Sequence, residues 1–204
     1  HLRTILSENF SNNSYYTDGL GLQTMLKTSV NADPNKLYTY ANFIANLNTD
    51  VSGGNGSAPG LTNLMNGRNT YLSALADFTA AQPAISDIAV SNSQPLLGTQ
   101  VNITAVVSNS PSAGVYLAYR NAEFAPFTRI LMQDDGLHGD GAAGDGRYGS
   151  TILISSGKTE YYLYAENTLA GIFSPQRAEV EFYTILTQAA AGGNLVINEF
   201  LASN

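Results

Sequence analysis

The sequence predicts an α+β chain of several segments, in which a small helical segment precedes an antiparallel Ig/fibronectin-like β-sandwich. Hydrophobic residues recur at helical spacing over residues 1–83 and alternate at strand spacing over residues 84–186. The length of 204 residues also exceeds one average domain, so more than one module is expected. Residues 187–204 are predicted to be a linker and the first strand of a further domain.

Three or four short helices are predicted within residues 1–83. The residues that share a face at helical spacing are Leu22, Met25, Leu26 and Val30; Phe43, Ile44, Leu47 and Val51; and Leu61, Leu64, Met65, Leu72 and Leu75. Thr39 is placed to cap the N-terminus of the second helix. The stretch Ser52–Ser57 is rich in glycine, which predicts a loop there.

About seven short strands are predicted within residues 84–186, which is typical of an Ig-like sandwich of about 100 residues. The alternating hydrophobic residues are Val101, Ile103, Ala105 and Val107; Val115, Leu117 and Tyr119; Ile130 and Met132; Tyr161, Leu163 and Ala165; and Val180 and Phe182. Clusters of turn residues, such as Asn109–Ser112 and Ser155–Gly157, separate these strands. The chain has no cysteine and no tryptophan, so the core disulfide and tryptophan of antibody domains are absent.

The C-terminal segment follows a flexible linker, Thr187–Gly193. Leu195–Ala202 is predicted to be one strand, and because a single strand cannot bury itself, it is expected to belong to a further domain. We expect residues 194–202 to pair with a sheet edge of the same chain or of a neighbouring molecule. Because the chain starts at His1 without a methionine and stops within this apolar stretch, we expect it to be a piece of a longer protein.

The charge composition argues against several classes of partner. The chain carries nine Lys and Arg residues against 16 Asp and Glu, and its net charge is −7. Nucleic acids and anionic membranes require clustered cations, so neither is an expected partner. No apolar stretch reaches the roughly 18 residues of a membrane-spanning helix, so no membrane insertion is expected. The lack of cysteine excludes a disulfide framework, a zinc–thiolate site and a cysteine nucleophile.

The acidic loop, residues 134–149, holds the densest group of candidate functional side chains in the sequence. Asp134, Asp135, Asp140 and Asp145 stand among glycines that allow tight backbone turns. Calcium takes several carboxylate and carbonyl oxygens in a flexible cage, so these four residues are candidate calcium ligands and Ca²⁺ is the candidate cofactor. The spacing is not that of an EF-hand, and it does not repeat as in calcium-binding solenoids. The alternative is a long hairpin loop whose Asp side chains cap their own backbone while Gly supplies positive φ.

The other candidate sites are weaker, and we predict no catalytic and no cofactor-binding residue. His138 could act as an acid or base, although a solvated loop histidine is more usual. The stretch Gly139–Gly144 lacks the lysine and the strand-to-helix context of a phosphate loop. Tyr161, Tyr162 and Tyr164 could stack on sugars. Alternation places Tyr162 and Tyr164 on one face, which more often marks a cross-strand aromatic pair.

Three parts of the chain resemble a known arrangement of bacterial surface proteins. His1–Phe10, Asp33–Tyr40 and Pro59–Leu72 look like the C-terminal end of spore-coat CotH-type kinase domains. In large surface proteins of that group, a sandwich follows with an Asp-Asp-Gly and Gly-Asp-Gly loop that Asp134–Tyr148 matches closely. Leu195–Asn204 is similar to the opening of a lamin-tail domain. The order of the three parts is more specific than any one of them.

The resemblance implies a parent protein with an atypical kinase-like domain that transfers phosphate from ATP with a divalent metal. The nucleotide-binding lysine and metal-binding acids of that family lie upstream of His1, so none is carried onto this sequence. We therefore expect residues 1–83 to be the helical C-terminal segment of such a domain and residues 187–204 to begin a lamin-tail domain. The resemblance also implies export to the bacterial cell surface.

Three functions follow as hypotheses. The first is a non-catalytic spacer whose partners are the neighbouring domains of the parent chain. The second is a calcium-stabilised binding module for a glycan or a surface partner. The third is part of an ATP-dependent protein kinase whose active site lies upstream of this chain. The absence of a catalytic constellation in the sequence favours the first.

Overall fold

The computed structural model describes residues 1–10, 12–53, 56–110 and 114–188. The chain divides into two units, His1–Ala80 and Ala81–Asn204. The first unit contains the helices and one short hairpin, and the second contains two antiparallel sheets. The α+β class predicted from the sequence is therefore confirmed at this level. None of the helices in the described part of the chain has the length and hydropathy needed to cross a membrane.

The helical unit has five helices and one hairpin in its described residues. The elements are α1 (Leu2–Ile5), a π-helical turn (Leu6–Phe10), α2 (Ser14–Ala32), α3 (Tyr40–Ala45), β1 (Val51–Gly53), β2 (Gly56–Ala58), α4 (Leu61–Ala74) and α5 (Ala76–Thr79). Gly19 allows α2 to approach α4 closely, because a Cβ at this position would lie 2.5 Å from a methyl carbon of Leu61. The hydrophobic residues of this unit that are buried are Leu6, Leu47 and Val51.

The second predicted helix is shorter than its hydrophobic spacing suggested. The predicted cap is confirmed, since the Asn42 amide donates to Thr39 Oγ1 at 3.1 Å. The helix ends at Ala45, so the placement of Leu47 and Val51 on it was wrong. The side chain of Asn46 donates to the Thr49 carbonyl in the turn that follows and to the Ala58 carbonyl of β2, and such side-chain bonds compete with helix continuation.

Short paired strands occupy both ends of the stretch Ser52–Ser57, which was predicted to be a loop. Strands β1 and β2 pair antiparallel, with Val51 opposite Ala58 and Gly53 opposite Gly56. The loop prediction was therefore wrong for these flanking residues. Glycine-rich stretches commonly connect paired strands, so their composition alone does not exclude strands at their ends.

The second unit, called the β unit below, has eight described strands. These are β3 (Ala84–Val90), β4 (Gln100–Ser108), β5 (Val115–Arg120), β6 (Thr128–Leu131), β7 (Arg147–Leu153), β8 (Lys158–Glu166), β9 (Gly171–Ser174) and β10 (Tyr183–Leu186). One sheet has the order β3-β4-β7. The other has the order β10-β8-β5-β6, and β9 also pairs with β8. All of these pairings are antiparallel.

Both sheets contribute buried side chains to one hydrophobic cluster. The predicted alternation is confirmed in β4, β5 and β8, whose inward residues include Ile103, Leu117 and Leu163, each fully buried. The strand predicted around Val180 and Phe182 was wrong, because β10 begins at Tyr183. Val180 lies in a turn in which its amide donates to the Arg177 carbonyl at 3.1 Å. The predicted strand Leu195–Ala202 lies outside the described residues.

Candidate functional site

The acidic loop connects β6 to β7, and both of its ends are held in place. Gln133 and Gly149 exchange backbone hydrogen bonds of 2.8 and 2.7 Å across the base of the loop. Gly149 also belongs to β7, where it is opposite Thr104 of β4. The loop is therefore anchored to the three-stranded sheet where it returns to the strand.

Asp140 is the most buried residue of the loop, with no exposed surface. Its Oδ2 accepts hydrogen bonds from the amides of Asp135 and Gly136 at 2.9 and 3.0 Å. Its Oδ1 accepts from the His138 amide at 3.0 Å. Burial alone raises the pKa of Asp140, but the bonds from Gly136 and the other loop amides outweigh it and hold the pKa below its usual range. A charged carboxylate thus serves as the centre of this turn.

Asp134 and Asp145 organise the second half of the loop in the same way. Asp134 Oδ1 accepts from the amides of Gly144 and Asp145 at 2.7 and 3.2 Å, and its Oδ2 accepts from Gly146 at 2.9 Å. Asp145 accepts from the amides of Ala142 and Arg147 at 3.1 and 2.9 Å. Each carboxylate closes a backbone turn, as Asp side chains commonly do.

Asp135 has a different partner from the other three aspartates. Its Oδ1 accepts from the Leu137 amide at 2.9 Å and lies 3.0 Å from His138 Nδ1. His138 is therefore paired with a carboxylate of its own loop, and its backbone amide is bound by Asp140. The described geometry thus gives this histidine a carboxylate partner within its own loop.

Glycine is required at two kinds of position in the loop. Gly141 has a φ of +102°, and a Cβ there would lie 2.7 Å from Asp145 Oδ2. Gly149 is required by close approach, because a Cβ there would lie 2.8 Å from the Cβ of His138. Residues 138–140 thus lie directly against β7. The loop covers part of the outer face of the three-stranded sheet.

The four candidate calcium ligands are all engaged with backbone amides. Within the described ranges, no group of three or more His, Asp or Glu side chains is arranged to hold a metal ion. The capping arrangement considered as the alternative is the one present, with positive φ at Gly136, Gly139, Gly141, Gly144 and Gly146. The sequence-based hypothesis that Asp134, Asp135, Asp140 and Asp145 bind calcium is left untested by this geometry, and a cation bound there would have to share or displace these amide bonds.

The tyrosines of β8 lie on both faces of its sheet. Tyr161 is buried in the core and Tyr162 in a second cluster on the outer face, so neither ring can stack on a ligand and their inclusion among the sugar-stacking candidates was wrong. Tyr164 is opposite Tyr116 of β5, and their rings stack with centroids 6.3 Å apart. Cross-strand aromatic pairing, the alternative reading of this pattern, is thus present.

The hydroxyl groups of the two outward tyrosines are bound by carboxylates. Tyr162 donates to Glu179 Oε1 at 2.8 Å, and Tyr164 donates to Glu166 Oε2 at 2.7 Å. Burial, and then the bond to the neighbouring carboxylate, raises the pKa of each to about 12. Burial likewise raises the pKa of Tyr161 to about 12.

A buried ion cluster on the same outer face was missed by the sequence analysis. Glu160 is almost fully buried and accepts from Arg120 Nε at 2.7 Å, and Lys158 also pairs with it. The Arg120 guanidinium lies 4.5 Å from the ring centre of Phe127. Burial raises the pKa of Glu160, but the bonds from Lys158 and Arg120 outweigh it, so the net shift is downward. Lys158 and Glu160 share a strand face in the sequence, whereas Arg120 is 40 positions from Glu160.

Comparison with known proteins adds little to this geometry. No protein-family model matches the chain, and no curated protein matches it. Among solved structures, the alkylpurine DNA glycosylase AlkC of Pseudomonas fluorescens, bound to DNA containing an abasic site analog, is similar over 64% of this chain. The identity is 10%, the TM-score is 0.34, and the chain spans 39% of that glycosylase chain. A likeness of this size carries no argument about fold or function.

Proposed function

We propose that this chain is a non-catalytic structural region of an exported bacterial cell-surface protein of the CotH-type kinase-like group. In this proposal residues 1–83 are the helical end of the kinase-like domain, and residues 84–186 are an Ig-like spacer that orients neighbouring domains. Residues 187–204 lead into a lamin-tail domain. The kinase active site of the parent protein lies upstream of His1.

The observation that carries the proposal is the lack of a sufficient core in the helical unit. Three of its described hydrophobic residues are buried, namely Leu6, Leu47 and Val51. Its large hydrophobic residues that are exposed are Leu2, Ile5, Leu20, Leu22, Met25, Leu26, Leu37, Ile44, Leu64 and Tyr71. A unit of about 80 residues needs most of its apolar side chains inside to be stable alone. This supports the interpretation that the unit is one part of a larger domain.

The face of α2 shows the same deficit in one element. Leu22, Met25 and Leu26 share the apolar face predicted from the sequence, and Met25 is 75% exposed. Hydrophobic residues at this spacing normally face a core. The missing cover is proposed to be the upstream part of the kinase-like domain.

The strand order of the β unit supports the Ig-like part of the proposal. One sheet joins the first, second and fifth strands of the unit, and the other joins the third, fourth, sixth and later strands. Immunoglobulin and fibronectin sandwiches also divide their strands between two antiparallel sheets around one core, and this likeness supports the proposal. Such sandwiches commonly connect domains in extracellular proteins.

The non-catalytic part of the proposal rests on the acidic loop. Its carboxylates and its histidine are used to hold the loop's own backbone. A general base needs a free acceptor within reach of a substrate proton, and the loop's carboxylates are instead committed to amides. The loop is better suited to covering the sheet than to chemistry.

The enzymatic part is tested with the 204-residue chain and ATP. Isothermal titration calorimetry with ATP and magnesium is expected to give no binding heat, and a phosphate-release assay is expected to give no turnover. Measurable turnover that scales with protein concentration through purification would contradict the proposed position of the active site.

The structural part is tested with the dye 1-anilinonaphthalene-8-sulfonate, which binds exposed apolar surface. The triple variant Leu22→Ser, Met25→Ser and Leu26→Ser is expected to bind less dye than the unaltered chain. The matched control, Leu137→Ser with Val180→Ser, removes exposed hydrophobic residues from the β unit and is expected to leave dye binding nearly unchanged. Equal losses of dye binding in both variants would contradict the interpretation that the apolar face of α2 is an uncovered packing surface.

A further inference from the structure

The three residues that precede β3, called the entry segment below, have no regular secondary structure. Ala81 and Gln82 are exposed, whereas the Pro83 side chain is fully buried. The proline ring fixes its own φ and disfavours helical backbone at Gln82. Burial of Pro83 thus holds the end of the segment that adjoins β3, and Ala81 and Gln82 depend on other contacts.

Two asparagine side chains from different turns bind the carbonyls of the entry segment. Asn167 Nδ2 donates to the Ala81 carbonyl at 2.9 Å, and Asn109 Nδ2 donates to the Gln82 carbonyl at 3.0 Å. Because Ala81 and Gln82 are exposed, water can serve as the donor to these carbonyls instead. Burial therefore does not require the two bonds, and their effect is to hold the segment in one path.

The two asparagines also join turns that belong to different sheets. Asn109 follows β4 of the three-stranded sheet, and Asn167 follows β8 of the other sheet. Asn167 Nδ2 donates to the Asn109 carbonyl at 3.1 Å as well as to Ala81. Its Oδ1 accepts from the amides of Leu169 and Ala170 at 2.9 and 2.8 Å. The oxygen of this side chain thus serves its own turn, and the nitrogen serves the entry segment and the turn after β4.

The same two turns are connected by bonds that do not involve these side chains. Ser110 Oγ donates to the Glu166 carbonyl at 2.8 Å, and the Glu166 amide donates to the Gly114 carbonyl at 2.8 Å. Asn109 has a φ of +57°, in the left-handed region that asparagine tolerates better than most residues. The asparagines that reach the entry segment therefore project from a fixed base.

We propose that Asn109 and Asn167 act as a clamp that makes the entry segment a rigid attachment instead of a hinge. The clamp ties the segment to turns of both sheets, while Pro83 buries its last side chain. This inference does not depend on the proposed function, because it concerns the β unit by itself. In a spacer, the clamp would give the incoming chain a fixed point of attachment.

The variant Asn167→Asp tests the clamp with little change in shape. Aspartate keeps the oxygen that accepts from Leu169 and Ala170, but it places an acceptor where the asparagine donates. The matched control is Asn92→Asp, which adds the same charge in the loop after β3. Asn92 Oδ1 likewise accepts from a nearby backbone amide, that of Gln94, at 3.0 Å.

The variant Asn109→Gly tests the other half of the clamp. Glycine adopts a positive φ without strain, so the turn after β4 is expected to keep its backbone path. The bond from Asn109 Nδ2 to the Gln82 carbonyl is lost. The carbonyl of residue 109, which accepts from Asn167, is retained.

Two measurements on the 204-residue chain report on the entry segment. The proton–nitrogen nuclear Overhauser effect of the Ala81 and Gln82 amides measures their fast backbone motion. Digestion with proteinase K, followed by mass spectrometry, measures the rate of cleavage within residues 79–83. We expect Asn167→Asp to lower the Overhauser effect and to raise the cleavage rate on the order of tenfold, because it loses two hydrogen bonds.

The other variants set the scale of that effect. Asn109→Gly is expected to change both readings in the same direction, with cleavage about threefold faster, because it loses one bond. Asn92→Asp is expected to change neither reading. Urea unfolding of each variant checks that the β unit remains folded.

Each remaining outcome also decides the matter. Unchanged readings in both Asn167→Asp and Asn109→Gly would mean that Pro83 alone holds the entry segment, and they would overturn the proposal. Equal changes in Asn92→Asp and Asn167→Asp would assign the effect to the added charge and overturn it as well. If Asn167→Asp unfolds the β unit, Asn109→Gly decides the question, and unchanged readings in that variant would overturn the proposal.

Discussion

In the β unit, Leu117 and Leu163 lie opposite each other on neighbouring strands and are fully buried, whereas in the helical unit Leu22 and Met25 lie on one face of α2 and are exposed. Both pairs follow a clear amphipathic pattern. The β unit covers its apolar faces by packing two sheets on one core, and the helical unit has no comparable layer among the described residues. An amphipathic pattern thus predicts which face of an element is apolar. It does not predict whether another part of the same chain packs against that face.

The largest expected difference between the units is in the cost of removing a hydrophobic side chain. Leu163→Ala leaves a cavity in the shared core and is expected to lower the free energy of unfolding by about 2–5 kcal/mol. Met25→Ala, on the exposed face of α2, is expected to change it by less than about 0.5 kcal/mol. Urea unfolding of the 204-residue chain measures both. If Met25→Ala lowered the free energy of unfolding as much as Leu163→Ala does, the Met25 side chain would be packed in the folded chain. The contrast between the two units would then be wrong.

A smaller effect is expected within the acidic loop. Asp140→Asn places an NH₂ group where backbone amides donate, and it is expected to cost about 1–3 kcal/mol of stability because the site is buried. Asp145→Asn is the matched control, since Asp145 also caps the loop but is exposed, so water can replace its bonds. Equal losses in thermal or urea unfolding would mean that burial of the Asp140 carboxylate does not matter.

The β unit is also expected to lose stability in alkali. The pKa values of Tyr161, Tyr162 and Tyr164 are about 12 in the folded chain, against an ordinary value of about 10. A raised folded-state pKa contributes stability that is complete below about pH 10 and is lost as the pH rises toward 12. The free energy of unfolding measured at a series of pH values should fall in this window, together with late tyrosinate absorbance. A flat profile between these pH values would contradict the burial of these hydroxyl groups.

The smallest expected effect is that of calcium. Because the loop carboxylates already bind amides, the thermal midpoint is expected to be the same in EDTA and in millimolar calcium. A cation at a hundred times its Kd would add about 2.7 kcal/mol of stability. A midpoint raised by calcium in the unaltered chain but not in Asp145→Asn would make the loop a metal site and favour the binding-module hypothesis.

The sequence predicted the strands whose hydrophobic residues alternate and missed a strand in which they do not. The alternation in β4 and β5 follows from the inward face of each sheet, and β8 keeps it at Tyr161, Leu163 and Ala165 although its outer face is buried as well. Strand β7 shows no clear alternation in its burial, because Tyr148 faces the core while Gly149 on the other face is covered by the acidic loop. A loop that folds over a sheet is a tertiary contact, and period alone does not reveal it.

The position of the candidate site could be predicted from the sequence, but the partners of its carboxylates could not. Aspartate and glycine predicted tight turns, and the five glycines of positive φ agree with that. Aspartates among glycines can bind a cation or cap backbone amides. The sequence alone does not distinguish these two arrangements. The partnership of Glu160 with Arg120 depends on the register between β5 and β8, which the sequence does not specify.

Hydrogen–deuterium exchange of the 204-residue chain, followed by mass spectrometry, tests the central contrast most directly. We expect peptides from β4, β5 and β8 to be protected more strongly than those from α2 and α4, by a factor on the order of 10³ or more, because the buried hydrophobic clusters among the described residues lie in the β unit. Equal protection across both units, at the level of the β strands, would contradict the claim that the helices are one part of a larger domain.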